Sequence, residues 1–206
     1  RDTTRRYPVL YVHDGEGMGD GYLSVPRSLD ALVAAGAVPP TIVVGIGMSN
    51  DRDTELSPPV LQQYARLVAD VVKPVVDASF RTRCGRASTS SLGYSLGGLA
   101  AFYLPLWYPE AFGSAACMST SFWKGHEQPR RDWRRHRGPL PDRLWIDVGT
   151  REPGLGRARR MRDAVIARGL VLGRDLGYFE DRGARHDFDV GGRRMPRVLR
   201  FLLSAR

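Results

Sequence analysis

The sequence predicts an α/β fold, in which a mostly parallel sheet carries helices on both faces. Apolar runs of strand length alternate with longer amphipathic stretches along the whole chain, and this alternation is typical of parallel sheets. The chain has 206 residues, of which 42% are hydrophobic and 26% are charged, so it can bury a substantial core. We therefore expect a single domain over residues 1–206.

The hydrophobic pattern predicts the individual elements. Apolar runs predict strands over residues 7–13, 41–47, 87–94, 112–118, 143–148 and 177–180. Apolar residues at helical spacing predict helices over 26–35, 60–79, 98–107, 156–168 and 190–205. Pro74 lies inside the second helix and should kink or end it. Residues 124–141 are polar, rich in arginine and without a period, and they predict a surface loop or lid.

The positive charge comes almost wholly from arginine. The formal net charge is +9 and the isoelectric point about 10.1, while Lys73 and Lys124 are the only lysines. Either a GC-rich genome has placed arginine on solvated faces, or the basic surface attracts an anionic ligand. No nucleic-acid-binding motif accompanies the charge, and no apolar run approaches the roughly 20 residues of a membrane span. We expect neither nucleic acid nor a membrane as partner.

The cysteines and the first residue say little about the compartment. Cys84 and Cys117 have a spacing that suits neither a metal site nor a redox motif, and we expect no metal or other cofactor. The sequence begins at Arg1 with neither a methionine nor a signal segment, which predicts that an upstream piece either has been removed or lies outside the sequence given. We favour the cytoplasm, with secretion as the alternative. The sequence leaves the oligomeric state open.

One short motif carries the chemistry. The segment Gly93-Tyr94-Ser95-Leu96-Gly97 reads Gly-x-Ser-x-Gly and lies between a predicted strand and a predicted helix. That context is typical of the nucleophile elbow of α/β hydrolases, where a strained turn exposes the serine hydroxyl and small residues are needed on either side. The motif therefore predicts Ser95 as a nucleophile, with the backbone N–H of Leu96 as an oxyanion donor.

A serine hydroxyl needs a base, and in this fold the base follows the last strand. His186 lies between the last predicted strand and the final helix, whereas His126 and His136 fall in the polar segment and His13 ends the first strand. We therefore predict His186 as the general base.

The acid of the triad should follow a later strand and precede the histidine in sequence. Glu152 meets both conditions, since it comes just after the strand at 143–148. Asp147 is a rival but falls within that strand, and Asp181 and Asp187 are further rivals. A Ser-His dyad without a firm acid also stays open.

The second oxyanion donor should come from the loop after the first strand, His13-Asp14-Gly15-Glu16-Gly17. Its glycines let a backbone amide approach the substrate, and we predict the N–H of Glu16, with that of Gly15 next. Asp14 could be a catalytic acid or a metal ligand, but its position in this loop favours a role in ordering the loop.

Several longer motifs together resemble the putative-esterase family, which includes enterochelin esterases, feruloyl esterases and mycolyltransferases. The motifs are YPVLYVHDG, PPTIVVGIG, DRDTELSP, GYSLGGLAAFY, FGSAACMSTSFW, DVGTREP and RHDFD, and they cover almost the whole chain. The resemblance implies an α/β-hydrolase fold, the same triad and oxyanion amides, and Arg52 with Glu55 as a pair near the site. Arg52, Tyr94 and Trp123 lie within these motifs, and we expect all three to contact substrate.

These residues predict a serine esterase that works through an acyl-enzyme on a small-molecule ester. Acyl transfer to an alcohol, as in mycolyltransferases, is the alternative within enzymes, and a non-catalytic binding protein on the same scaffold is the alternative outside them. Arginines of the predicted lid, among them Arg131 and Arg134, would attract an anionic ester if the lid faces the substrate.

Overall fold

The structure is a computed structural model, and it describes residues 4–19 and 22–204. Within these ranges six parallel strands form one sheet, in the order β2-β1-β3-β4-β5-β6. The strands are β1 (Val9–His13), β2 (Ile42–Ile46), β3 (Thr89–Tyr94), β4 (Ser114–Met118), β5 (Arg143–Gly149) and β6 (Leu176–Asp181). The predicted α/β class is confirmed, and each of the predicted strands overlaps an observed one.

Helices cover both faces of the sheet. They are α1 (Val25–Ala34), α2 (Arg52–Glu55), α3 (Leu61–Leu67), α4 (Lys73–Ser79), α5 (Leu96–Trp107), α6 (Lys124–Arg135), α7 (Leu155–Ile166) and α8 (Phe188–Leu203). Residues from α1 and α8 form the core on one face, and residues from α3, α5 and α7 form the larger core on the other. The central strands β3 and β4 are buried throughout, so neither shows the apolar–polar alternation of a half-exposed strand.

Two predicted helices differ in detail from the structure. The segment 60–79 stays helical past Pro74, because a π-turn over Val68–Val72 precedes α4 and places Pro74 in the first turn of that helix. There the missing N–H of proline costs no hydrogen bond. The last predicted helix ends at Ala205, which lies outside the described residues, and the observed α8 ends at Leu203.

The prediction of a loop or lid over 124–141 is wrong for residues 128–135, which are helical. The observed α6 spans 124–135, but Gly125, His126 and Glu127 have left-handed backbone angles and interrupt it, and residues 136–141 are irregular as expected. The helix packs on α7 through Trp133, which is fully buried and donates from Nε1 to the Ala164 carbonyl at 3.0 Å. Only Pro129 and Trp133 of α6 are buried, and two residues four apart are too few to register as a hydrophobic period.

Candidate active site

The nucleophile elbow forms as the sequence predicts. Ser95 follows β3 directly and has φ 58° and ψ −115°, and α5 begins at the next residue. Few L-residues adopt such angles, and strain of this kind occurs at functional sites. The neighbouring glycines are required by close packing, because a Cβ on Gly93 would collide with the Gly97 carbonyl and one on Gly98 with the Thr120 hydroxyl.

Three side chains form a continuous hydrogen-bonded chain at the carboxyl edge of the sheet. His186 Nε2 lies 3.1 Å from Ser95 Oγ, and His186 Nδ1 lies 2.8 Å from Glu152 Oε2. The acid loop after β5 is tied to the histidine loop after β6 by the Arg151 amide, which donates to the Ala184 carbonyl at 2.9 Å. The residues predicted as nucleophile, base and acid are thus brought together.

Glu152 is held in place by more than the histidine. It is 6% exposed, and its Oε1 accepts 2.6 Å hydrogen bonds from both the Ser119 hydroxyl and the Gly149 amide. Burial alone would raise the pKa of Glu152, but the hydrogen bonds from His186, Ser119 and the Gly149 amide outweigh it and lower that pKa. The carboxylate therefore stays ionised and fixed toward His186.

The rival acids are engaged elsewhere. Asp147 is fully buried and accepts hydrogen bonds from Trp145 Nε1 at 2.8 Å and from Arg194 at 2.8 Å. Asp181 accepts from Arg194 Nε at 2.9 Å, and Asp187 caps α8 by accepting from the Asp189 amide at 3.1 Å.

Arg194 is a residue of the site that the sequence reasoning missed. It is 2% exposed and bridges Asp147, Asp181 and Ser119, with Glu152 Oε1 at 3.5 Å. A signal for it was present, since Arg194 lies four residues before the buried Val198 and so shares the apolar face of α8. A lone arginine on such a face indicates a buried ion pair.

The loop after β1 packs against the elbow. Asp14 adopts a left-handed conformation, and residues Gly15–Met18 form a 3-10 turn. A Cβ on Gly97 would lie only 2.7 Å from Asp14 Oδ2, which measures how closely this loop approaches α5. The Leu96 and Glu16 amides both lie in first turns, where intrahelical acceptors are lacking. Their role as oxyanion donors stays a prediction.

The predicted pair of Arg52 with Glu55 is wrong. Arg52 instead forms two 2.6 Å hydrogen bonds with the carboxylate of Asp14, one from Nε and one from a terminal nitrogen. A bidentate pair of this kind uses the planar guanidinium fully, so Arg52 holds the loop after β1 and Asp14 has the loop-ordering role that the sequence favours.

A cavity of about 740 Å³ opens over the serine. Its lining includes Ser95, Glu152 and His186, together with Ser119, Thr120, Ser121, Trp123, Gly125, His126, Glu127, Pro153, Gly154 and Arg157. Of the side chains predicted to bind substrate, all of which are described, only Trp123 belongs to this lining, and it is 49% exposed.

The other predicted binding residues need correction. Tyr94 is 1% exposed, packs with its ring centroid 5.0 Å from that of His186, and donates to the Asp187 carbonyl at 3.1 Å, so it supports the histidine loop. Arg131 donates to the carbonyls of residues 125 and 126, and Arg134 lines a separate cavity between α6 and α7. Neither arginine belongs to the lining of the catalytic cavity.

Over residues 4–19 and 22–204, no group of three or more His, Cys, Asp or Glu side chains could hold a metal ion. Within the same ranges, every helix is too short or too polar to cross a membrane.

A parallel sheet with a serine elbow, a histidine and a carboxylate at its carboxyl edge defines the α/β-hydrolase class. Residues 2–190 match the family model described as "Putative esterase". The chain therefore belongs to the putative-esterase family. The family and fold that the sequence motifs predicted are confirmed.

Known proteins are similar to this chain in sequence or in fold. A segment of 114 residues is 30% identical to an endo-1,4-beta-xylanase/feruloyl esterase from Xylanibacter ruminicola, and it spans 52% of this chain but only 16% of that relative. The BES protein from Bacillus cereus superimposes with a TM-score of 0.77 at 18% identity, over 97% of this chain and 85% of that one.

Two further solved structures share the fold. The enterobactin esterase FES from Shigella flexneri has a TM-score of 0.77 and 22% identity, over 94% of this chain and 52% of that one. The siderophore hydrolase EstB from Aspergillus nidulans has a TM-score of 0.71 and 20% identity, over 98% and 84% of the two chains. At these identities the likeness is one of fold.

Proposed function

We propose that this protein is a serine carboxylic ester hydrolase that works through an acyl-enzyme. The observation that carries the proposal is the unbroken chain of hydrogen bonds from Ser95 through His186 to Glu152, at the floor of an open cavity. A structural hydrogen-bond network would not need the strained backbone at Ser95 or access to solvent.

In the acylation half, His186 Nε2 takes the proton of Ser95 Oγ while the oxygen attacks the ester carbonyl. The Leu96 and Glu16 amides hold the negative charge that develops on the carbonyl oxygen. The C–O bond of the ester then breaks, and His186 returns its proton to the departing alcohol. Glu152 stabilises the imidazolium between these two transfers and keeps Nε2 directed at the serine.

In the deacylation half, His186 takes a proton from water, and the hydroxide attacks the acyl-enzyme. The carboxylic acid leaves, and the proton returns to Ser95 Oγ. We propose that the substrates belong to the range suggested by the names of similar proteins, feruloyl esters and siderophore esters. The cavity volume of about 740 Å³ accommodates an aromatic acyl group beside Trp123.

The test is a panel of 4-nitrophenyl, feruloyl and catecholate-lactone esters assayed with Ser95→Ala. We expect kcat/KM to fall by about 10⁴-fold or more, because the nucleophile and base act as a unit. Labelling by a fluorophosphonate should vanish in the same variant, while thermal unfolding barely changes.

The matched control is Ser121→Ala. Ser121 lines the same cavity, and its Oγ lies 3.3 Å from Ser95 Oγ. The substitution therefore removes a neighbouring hydroxyl and keeps the proposed nucleophile. It should keep both activity and labelling. If Ser95→Ala keeps more than a small part of the activity, the nucleophile assignment is wrong. Adding an alcohol acceptor during turnover distinguishes hydrolysis from acyl transfer, since a transferase would divert the acyl group to the alcohol.

A further inference from the structure

One arginine lines the catalytic cavity, and it lies outside the segment 124–141 that was predicted as a lid. Arg157, in the first turn of α7, lines the cavity together with Ser95 and His186, and its side chain is 41% exposed. Among the described lining residues it is the one permanently charged cation.

The carboxylate of Glu127 lies near the Arg157 guanidinium but forms no hydrogen bond with its Nε. Arg157 Nε lies 3.8 Å from Glu127 Oε1, which is beyond hydrogen-bonding distance. Glu127 already accepts from Arg160 at Oε1 and from Arg130 at Oε2, the latter at 3.0 Å. These bonds, that from Arg160 first, lower the pKa of Glu127 despite its partial desolvation.

The cluster of Glu127 with its three arginines carries an excess of positive charge. One carboxylate faces three guanidinium groups, and the two that bond to it lie outside the catalytic cavity. Arg157 Nε is buried and has no hydrogen-bond partner within the part of the chain that the structure describes. A buried donor without an acceptor is costly, and a cation beside a reacting centre is a ready anchor for an anion.

We propose that Arg157 is a specificity-determining residue that binds a carboxylate or phenolate carried by the ester substrate. The proposal rests on the proposed esterase function and adds the charge of the substrate. It also replaces Arg131 and Arg134 as the source of any preference for anionic esters, since those two side chains do not reach the cavity.

The experiment compares pairs of esters in which a charged group is replaced by a neutral one. On the acyl side, mono-4-nitrophenyl glutarate is matched with 4-nitrophenyl pentanoate, in which a methyl group replaces the carboxylate. On the alcohol side, 4-acetoxybenzoate is matched with 4-acetoxybenzamide. The four compounds together show which side of the scissile bond faces Arg157.

In Arg157→Gln we expect the KM of one anionic ester to rise about tenfold with kcat nearly unchanged, because a charge-assisted contact common to ground and transition states is lost. The neutral partner ester should be unaffected, and Arg157→Lys should restore part of the preference. The matched control is Arg134→Gln, which removes the same charge from an exposed side chain outside the catalytic cavity. This variant should leave KM and kcat for all four esters unchanged.

Two results would overturn the proposal. Equal changes for charged and neutral esters in Arg157→Gln would mean that Arg157 only shapes the cavity, and an equal effect of Arg134→Gln would mean that the net charge acts at long range. Binding of glutarate and benzoate to Ser95→Ala with and without Arg157→Gln, followed by tryptophan fluorescence, tests Arg157 without turnover. If the wild type cleaves none of the esters, the esterase proposal fails while this binding arm still decides on Arg157.

Discussion

Two histidines of this protein have the same hydrogen-bonding pattern in different surroundings. His13 Nε2 lies 2.8 Å from Ser91 Oγ and its Nδ1 lies 2.7 Å from Tyr64 Oη. His186 bridges Ser95 and Glu152 at 3.1 and 2.8 Å. Each imidazole thus joins a serine hydroxyl to a second oxygen, and each serine belongs to or follows β3.

What differs is the counter-charge and the access to solvent. His13 is fully buried, and burial lowers its pKa to about 3, so it stays neutral. Its partner Tyr64 is a phenol whose pKa burial raises, so no negative charge is available there. His186 is 40% exposed, opens onto the cavity and faces a carboxylate. A histidine bonded to a serine becomes a usable base only where its charged form is stabilised and a substrate can reach the serine.

Replacing each histidine by alanine tests this comparison most directly. His186→Ala should reduce kcat/KM by about 10⁴-fold or more with little change in stability, because it removes the proton carrier from an exposed position. His13→Ala should instead cost about 2–4 kcal/mol of stability, since it leaves a cavity and two buried hydroxyls without their partner. The measurements are ester kinetics and urea unfolding of both variants.

The comparison would fail if the folded fraction of His13→Ala were as inactive as His186→Ala. It would also fail if His186→Ala unfolded as readily as His13→Ala, because the base would then be part of the fold's support.

A second, smaller contrast separates two carboxylates near Arg194. Glu152→Gln should cost roughly 10²-fold less activity than His186→Ala, since the acid orients and stabilises the imidazolium but moves no proton. Asp147→Asn should reduce activity less than Glu152→Gln but cost about 3 kcal/mol of stability, because Arg194 would lose a buried partner. Kinetics and urea unfolding of the two variants separate these roles. A larger loss of activity in Asp147→Asn would make Asp147 the acid.

The residues of the proposed triad could be predicted because each follows a strand, and strand ends are readable from apolar runs and glycines. Ser95, Glu152 and His186 come from separate loops, yet the parallel sheet places all such loops at one edge. The side chains around them were harder to predict. Arg52 pairs with Asp14, a contact across 38 positions that no local pattern encodes.

The segment 124–141 failed for a related reason. Its helix is held by tertiary contacts, namely Trp133 against α7 and a 2.6 Å hydrogen bond from the Tyr103 hydroxyl of α5 to Asp132, and neither period nor the arginine-rich composition indicates a helix. The error in secondary structure led to an error in the predicted substrate-binding residues, because the predicted lid included the side chains of Arg131 and Arg134. The cation that does reach the cavity, Arg157, belongs to a helix that was predicted but given no role.

The smallest expected effect concerns the pH dependence of stability and comes from His13 alone. Unfolded histidine binds a proton near pH 6.5, whereas folded His13 does so only near pH 3. Between these values the unfolded state holds more protons, so the contribution of neutral His13 to stability is present above about pH 6.5 and is lost as the pH falls toward 3.

From pH 7 to pH 5 this linkage should remove about 2 kcal/mol from the wild type. His13→Gln cannot take up the proton in either state, so it should lose less stability over the same range, although it starts from a lower value at pH 7. Urea unfolding of both proteins at pH 7, 6 and 5 gives the difference directly, because all other titrating groups are common to the two and cancel. Stability curves that run parallel from pH 7 to pH 5 would mean that His13 accepts a proton in the folded state as readily as in the unfolded one. The contrast with His186 would then rest on solvent access and not on charge.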